Sequence, residues 1–393
     1  MKLSSIIILS LLLIPKSFAK DVWITIDQDA AFNVEKSFVG TSIVKQSDGL
    51  VTLQIGEHWL EWLSEYMHSK YKRCGGYMVH EQLEGALKEL DNSWLRKATK
   101  DLEFVDYSIR NRDIVAPAMN EVTASNIAST IKKLSSYKNR YYQSPTGVES
   151  SKWIKKTWED LANGRNDITV SEFKHSWKQP SVIMSIQGSE LPNEIVIVGG
   201  HADSIAGFFG RANARAPGAD DNASGIASIT EAARVVIESG FRPKRTIQFM
   251  AYAAEEVGLR GSKEIASRYK SQGKEVLGVI QLDMTNFKGT KDLDIVMMND
   301  YTNRAQNEFL GQLIDEYIKV PWGYSKCGYA CSDHASWHSN GFPASMPFES
   351  TKRDMNGRIH TGADTLANSV SDASHAVHFS KLAVAFVVEL SIP

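Results

Sequence analysis

The stretch EIVIVGGHADS, residues 194–204, decides the fold class. Its first five residues are mostly β-branched and apolar, which is typical of a buried strand. Two glycines then end the apolar run directly before His201 and Asp203. In open α/β sheets, functional side chains lie just past the carboxyl ends of the strands. This stretch therefore predicts a strand that delivers polar groups to a site.

Further strand and helix patterns alternate downstream of this stretch. Periodicity predicts a helix over 222–239, a strand over 245–252, a helix over 260–272 and a strand over 276–282. The same alternation continues as strand, helix, strand and helix over 293–298, 304–319, 344–349 and 371–390. Alternating elements predict an α/β fold with a mostly parallel central sheet sandwiched by helices.

The N-terminus has the pattern of an export signal. Lys2 precedes an apolar run over 6–14, Pro15 breaks that run, and small residues stand before Lys20. The run is far shorter than the roughly 20 residues that a membrane-spanning helix needs. We therefore predict a signal peptide over 1–19, no membrane anchor, and a secreted protein, either extracellular or periplasmic.

Residues 20–110 differ in sequence pattern from the rest of the chain. They contain a helical pattern over 81–91 but no group of residues suited to catalysis. Their position between a signal and a richer downstream region favours a small α+β pro-segment, with a permanent accessory domain as the alternative. Residues 111–393 are then predicted to form the catalytic domain.

Charge and cysteine content limit the partners and the compartment. The formal net charge is −2 and no basic run occurs, which argues against nucleic acid or an anionic membrane as a partner. Cys327 and Cys331 have a spacing that suits a local disulfide in an oxidising compartment, whereas a zinc thiolate site lacks further ligands. Cys74 is left over.

Acidic and imidazole side chains cluster where predicted strands end. Two imidazoles and several carboxylates favour zinc or a similar divalent ion, and their number exceeds what one ion needs. Two ions that share a bridging group form a known arrangement for hydrolysing peptides. Taken singly, each residue could equally be a turn, cap or solvated side chain. The candidates are His201, Asp203, Asp220, Asp221, Glu255, Glu256, Asp283 and His360.

Several long segments together resemble the bacterial leucyl aminopeptidase family, whose members are secreted exopeptidases with two co-catalytic zinc ions. The resemblance covers about the last two-thirds of the chain, and it implies a signal peptide and a pro-segment as well. The matching segments are 199–204, 216–225, 249–261, 281–286, 327–338, 347–350 and 358–361.

The resemblance implies a ligand set for two Zn²⁺ per chain. Asp221 would bridge both ions. Glu256 and His360 would complete one zinc site, and His201 and Asp283 would complete the other.

It also implies the groups around those ligands. Glu255 would be the general base, and Asp203 would hold the imidazole of His201 in the correct tautomer. Tyr329 would lie beside the substrate and stabilise the oxyanion. A cis peptide bond would follow Asp221.

The pocket for the first substrate residue would be apolar and adaptable, since methionine side chains are flexible. Plain core packing is the alternative for each methionine. Lys352 and Met355 stand near positions where the family commonly has aromatic residues, and a cation there would disfavour basic first residues. The expected pocket residues, beside the two cysteines, are Met284, Met298, Met346, Phe348 and Ile359.

The resulting prediction is a monomeric zinc aminopeptidase that acts on peptides with a free N-terminus and prefers leucine or another apolar first residue. A separate protease would remove an inhibitory pro-segment. The alternatives are a glutaminyl cyclase-like acyltransferase with one zinc ion and a non-catalytic binding domain on a peptidase-like fold.

Overall fold

The structure, a computed structural model, describes residues 20–71, 73, 75–91, 105–162, 164–207 and 211–393. The predicted signal peptide over 1–19 and Cys74 lie outside the described residues. Within the described part of the chain, no helix is both long enough and apolar enough to cross a membrane.

An N-terminal unit folds around its own four-stranded antiparallel sheet. Val22, Ile24 and Ile26 alternate along the first strand and join one hydrophobic cluster with Leu53 and Leu63. The strand order is β2-β3-β1-β4. The strands are β1 (Asp21–Asp27), β2 (Ser42–Ser47), β3 (Leu50–Gly56) and β4 (Tyr77–His80), and the helices are α1 (Gln28–Ser37), α2 (Leu60–Tyr66) and α3 (Leu83–Asp91). The α+β architecture predicted for this region is confirmed, whereas its role as a pro-segment stays a prediction.

The central sheet of the larger unit has six strands. They are β5 (Ile168–Phe173), β6 (Ser181–Ile186), β7 (Leu191–His201), β8 (Arg245–Tyr252), β9 (Glu275–Gln281) and β12 (Ala344–Ser345). The order is β12-β9-β7-β8-β6-β5. The first four strands are parallel, β6 pairs antiparallel with β8, and β5 pairs antiparallel with β6. The mostly parallel sheet predicted from the sequence is therefore confirmed.

Alternating residues of β7 pack into a hydrophobic core on each face of this sheet. Val196 and Val198 belong to the larger hydrophobic cluster, while Ile195 and Ile197 belong to a second cluster with Trp337. A strand that is buried on both faces reads as a continuous apolar run, which is why 195–198 lacks polar residues. The helices that cover the faces are α4 (Arg112–Asn120), α5 (Ala124–Ser136), α6 (Pro145–Leu161), α7 (Gly225–Glu238), α8 (Arg260–Ser271), α9 (Arg304–Leu313), α10 (His334–Ser339) and α11 (Ala376–Ser391).

The structure differs from the sequence prediction in one helix, which is shorter, and in one strand, which is split in two. The helix predicted from residue 222 begins only at Gly225, because Asn222 lies in a kinked turn over Ala219–Ser224 and its side chain bonds neighbouring backbone. The single strand predicted over 344–349 is split between β12 and β13 (Pro347–Phe348). β13 belongs to a small separate sheet with β10 (Ile295–Met298) and β11 (Trp322–Ser325).

Candidate metal centre

The parallel strands bring the candidate residues to one edge of the sheet. β7 ends at His201, β8 is followed closely by Glu255 and Glu256, and β9 is followed by Asp283. Because the three strands run in the same direction, their carboxyl ends open at the same edge. The kinked turn before α7 adds Asp221 from an adjacent segment.

Side-chain atoms of the five predicted ligands converge on two points. The Nε2 atom of His201 lies 3.0 Å from Asp221 Oδ1 and 3.4 Å from Asp283 Oδ1. The Nε2 atom of His360 lies 3.1 Å from Asp221 Oδ2 and 2.7 Å from Glu256 Oε2. Each group of three has its ligand atoms within 4.8 Å of one another, and Asp221 belongs to both groups.

The charge and burial of this cluster fit divalent cations. All five side chains are buried, and Glu256 Oε1 has no hydrogen-bond partner among the described residues. Burial and the adjacent Asp221 raise the pKa of Glu256 to about 7. Burial opposes a charge on His201, yet Asp283 and Glu255 raise the pKa of His201 well above 6.5. Crowded buried carboxylates of this kind are stabilised by a cation, and imidazole with carboxylate is a donor set that zinc accepts.

Glu255 lies beside the cluster without belonging to either ligand group. Its Oε1 atom is buried and accepts no hydrogen bond from the described residues. It lines one small cavity together with Asp221 and Asp283. Burial, with repulsion from Asp333 and Glu256, raises the pKa of Glu255 well above 4.5. A buried carboxylate with an unused oxygen is suited to accept a proton from a bound molecule.

Asp203 contacts both the histidine and the glutamate pair. The closest acceptor for His201 Nδ1 is the backbone oxygen of Asp203 at 3.2 Å, and its carboxylate is 3.5 Å away. The two carboxylate oxygens instead accept the backbone N–H groups of Glu255 and Glu256 at 3.1 and 3.2 Å. Asp203 thus links the segment after β7 to the segment after β8.

The sequence did not reveal two further residues that position this site. Arg140, from the α5–α6 connection, is buried and donates to the backbone oxygens of Ala202, Pro217 and Gly218. Asp364 accepts the backbone N–H of Asp221 at 3.1 Å. Neither residue lies in a local pattern, since each acts on segments that are distant in sequence. The peptide bond after Asp221 is cis, as the resemblance implied.

The five predicted pocket residues lie together beside the cluster. They share one buried apolar cluster with Tyr329 and Cys331. Cys327 and Cys331 form a disulfide with an S–S distance of 2.05 Å, which holds Tyr329 in a short loop. The cavity between this wall and the cluster of predicted ligands measures about 20 Å³, which is room for about one water molecule. Lys352 and Met355 also line it.

Comparison with known proteins agrees with this architecture. A leucine aminopeptidase 1 of Arthroderma gypseum is 38% identical over 337 residues, which is 80% of this chain and 89% of the relative. A probable aminopeptidase of Saccharomyces cerevisiae is 36% identical over 290 residues, covering 72% of this chain and 77% of that protein.

Similarity extends to solved structures. The crystal structure of LapB from Legionella pneumophila superposes with a TM-score of 0.82 at 33% identity, covering 94% of this chain and 99% of LapB. Residues 181–387 match the model of peptidase family M28. The chain therefore belongs to peptidase family M28, a family of hydrolases in which its curated relatives are named aminopeptidases.

Proposed function

We propose that this protein is a secreted, zinc-dependent aminopeptidase that hydrolyses the first residue from peptides with a free N-terminus. One observation carries the proposal: two candidate ligand groups share Asp221, and Glu255 lies beside them with an Oε1 atom that accepts no hydrogen bond from the described residues. His201 and Asp283 would hold one Zn²⁺, and Glu256 and His360 would hold the other. Export is supported by the disulfide, which is typical of oxidising compartments.

The side chains present define how the reaction would proceed. When bound, zinc polarises the scissile carbonyl and lowers the pKa of the attacking water. Glu255 takes the proton from that water and passes it to the leaving amine. The hydroxyl of Tyr329 donates a hydrogen bond to the carbonyl oxygen as negative charge develops there. The substrate α-amino group would lie toward His201 and Asp283, which limits cleavage to the first residue.

The pocket wall supports an apolar first residue. Met284, Met346 and Phe348 line the cavity that touches Asp221 and Glu255. The cavity has room for about one water molecule, so these flexible methionine side chains would move to admit a leucine side chain. Burial of that side chain against the wall would then contribute roughly 1.5–3 kcal/mol to substrate binding. Leucine is therefore the first residue to test.

Two measurements on the purified protein test the proposal. We expect about two zinc ions per chain by elemental analysis, and hydrolysis of leucyl 4-nitroanilide that a chelator abolishes and added zinc restores. A single zinc ion with cyclisation of N-terminal glutamine would support the acyltransferase alternative. If the protein hydrolyses no aminoacyl anilide, with or without added zinc and also after removal of the N-terminal unit, the result would support a non-catalytic binding domain.

We further propose that the N-terminal unit inhibits the enzyme until another protease removes it. Its side chains lie over the metal cluster: the His68 ring is 4.4 Å from the His360 ring, and Ser64 Oγ donates to the backbone oxygen of Glu256 at 2.6 Å. The guanidinium of Arg73 lies 5.3 Å from the Tyr329 ring. These residues would obstruct a peptide that approaches the ligands.

A further inference from the structure

A lysine lies among the apolar side chains that form one wall of the proposed substrate pocket. The Nζ atom of Lys352 donates to the hydroxyl of Tyr329 at 2.9 Å and lies 3.0 Å from the sulfur of Met355. Lys352 also lines the cavity that Asp221, Glu255 and Met346 line. Its charge is therefore at the surface that a substrate's first side chain would contact.

This ammonium group lacks an ionic partner among the described residues. No carboxylate in the described part of the chain comes within 4.0 Å of Lys352, whereas its neighbour Arg353 pairs with Asp354 at 3.0 Å. An ammonium has three donor hydrogens, and the described hydrogen bonds use one for Tyr329 and one for a weak sulfur acceptor. A substrate carboxylate would supply the missing charge and acceptor.

A cleft opens from this pocket, and its charged lining residues are positive, as Lys352 is. With the N-terminal unit in place it measures about 780 Å³, and that unit contributes Tyr71 and Arg73 to its lining. The larger unit contributes Lys326 and Arg353, which stay when the N-terminal unit leaves, beside the Cys327, Tyr329 and Lys352 that the pocket shares. No carboxylate is among its described lining residues. Asp300 is close by, and its carboxylate accepts the backbone N–H groups of Cys327 and Gly328. Positive charge in a concave site attracts anions and repels cations.

We propose that Lys352 is a specificity-determining residue, which makes the pocket accept an acidic first residue, glutamate foremost, beside apolar residues and reject lysine and arginine. This inference rests on the proposed aminopeptidase function. A glutamyl side chain would lay its methylene groups on the methionine wall and its carboxylate on Lys352. A lysyl side chain would bring a second ammonium against the first.

The test compares kcat/KM for glutamyl, leucyl and lysyl 4-nitroanilide, using whichever form of the enzyme hydrolyses the leucyl substrate. We expect kcat/KM for the glutamyl substrate to be at least about ten times kcat/KM for the lysyl substrate. Lys352→Met should lower that ratio about tenfold or more, and Lys352→Glu should invert it. Lys352→Gln provides a second neutral variant should the methionine variant fold poorly.

Two control variants separate the pocket from general surface charge. Lys156→Met removes a lysine that pairs with Asp160 on the surface of α6, and Arg353→Met removes a cation of the cleft outside the pocket wall. Both should change the ratio less than threefold.

Three outcomes would overturn the inference. The ratio could stay constant in all Lys352 variants, all three substrates could lose activity in parallel, or Arg353→Met could shift the ratio as much as Lys352→Met does. If leucyl hydrolysis persists in these cases, only the inference fails. If the enzyme hydrolyses no aminoacyl substrate, the proposed function fails with it.

Discussion

Several residues at or beside the proposed metal ligands and Glu255 have backbone angles that residues other than glycine rarely adopt. Met284 follows Asp283 with φ 58°, Ala254 precedes Glu255 with φ 59°, and His360 itself has φ 56°. Such conformations cost roughly 1–3 kcal/mol each and persist only where the surroundings enforce them. Their position directly beside the ligands indicates that the fold holds these side chains in place at a cost in stability.

Glu255 and Glu256 are adjacent, yet replacing each of them should affect zinc content and kcat differently. Glu255→Ala should retain both zinc ions and lose about 10³-fold or more in kcat, because only the proton acceptor is removed. Glu256→Ala should lose zinc as well as activity, since its carboxylate lies 2.7 Å from the ligand atom of His360. Elemental analysis and steady-state kinetics on both variants would measure this, and near-normal kcat in Glu255→Ala would refute its role.

At the scale of elements, short segments between strands and helices hold the site. The kinked turn over Ala219–Ser224 is fixed by side chains from several directions: Asp364 accepts the N–H of Asp220 and Asp221, and Asn222 bonds to the backbone oxygen of Leu282. Arg140 bonds to the carbonyl of Gly218 just before the turn. The position of the shared ligand therefore depends on packing between elements.

Gly218 gives a test of how tightly this turn is packed. Its φ is 51°, and a Cβ atom there would come within 2.4 Å of the backbone oxygen of Asp221. Gly218→Ala should destabilise the fold by at least about 3 kcal/mol and weaken zinc binding at least tenfold, combining backbone strain with overpacking. Denaturant unfolding and zinc titration would measure both effects.

Gly240 is the matched control because its φ is 73° and no atom lies within 4 Å of a Cβ built there. Gly240→Ala should cost only about 1–2 kcal/mol from backbone strain and leave zinc affinity unchanged. Equal effects of the two variants would mean that contact with the turn is unimportant.

At the start of α11, a buried histidine should make stability depend on pH. Burial, with repulsion from His378, lowers the pKa of His375 from 6.5 to about 4. Between these values the unfolded chain binds a proton that the folded chain excludes, so stability falls as pH drops from about 6.5 toward 4. The loss from this residue is at most about 3 kcal/mol.

His375→Gln removes this titration. Its free energy of unfolding should decline less than that of the unsubstituted chain between pH 7 and pH 4, by about 1–3 kcal/mol. Urea unfolding at both pH values would measure the difference, with contributions from the metal ligands cancelling between the two proteins. Parallel declines would contradict the role given to His375.

In the whole molecule, the N-terminal unit is bound to the larger unit away from the site as well as over it. Arg260 donates to Glu57 at 2.6 Å and to Glu81 at 3.2 Å, and both glutamates belong to the N-terminal unit. The backbone N–H of Val79 donates to the oxygen of Gly258 at 3.1 Å. These contacts hold the unit against the segment that carries Glu255 and Glu256.

Cleavage between the units should therefore raise activity. A specific protease site inserted between residues 91 and 105 would allow the chain to be cut after folding. We expect leucyl 4-nitroanilide hydrolysis to rise at least tenfold once the N-terminal unit dissociates, because His68 and Ser64 then leave the site. Activity and size-exclusion profiles should be compared with a chain that carries a scrambled site and receives the same protease. Full activity before cleavage would contradict inhibition.

Features that depend on the order of neighbouring residues could be predicted before the structure. Apolar runs and periodicity predicted the strands and helices of the α/β unit, and the residue types after β7, β8 and β9 predicted metal ligands, because both signals lie in neighbouring residues. The meeting of His360 with Asp221 was expected only from the family resemblance, since no local pattern places the two together. That Arg140 and Asp364 fix the turn and that His68 lies over the site became visible only in the folded chain. Such contacts join segments tens to hundreds of residues apart, and they follow from how whole elements pack, which no local pattern records.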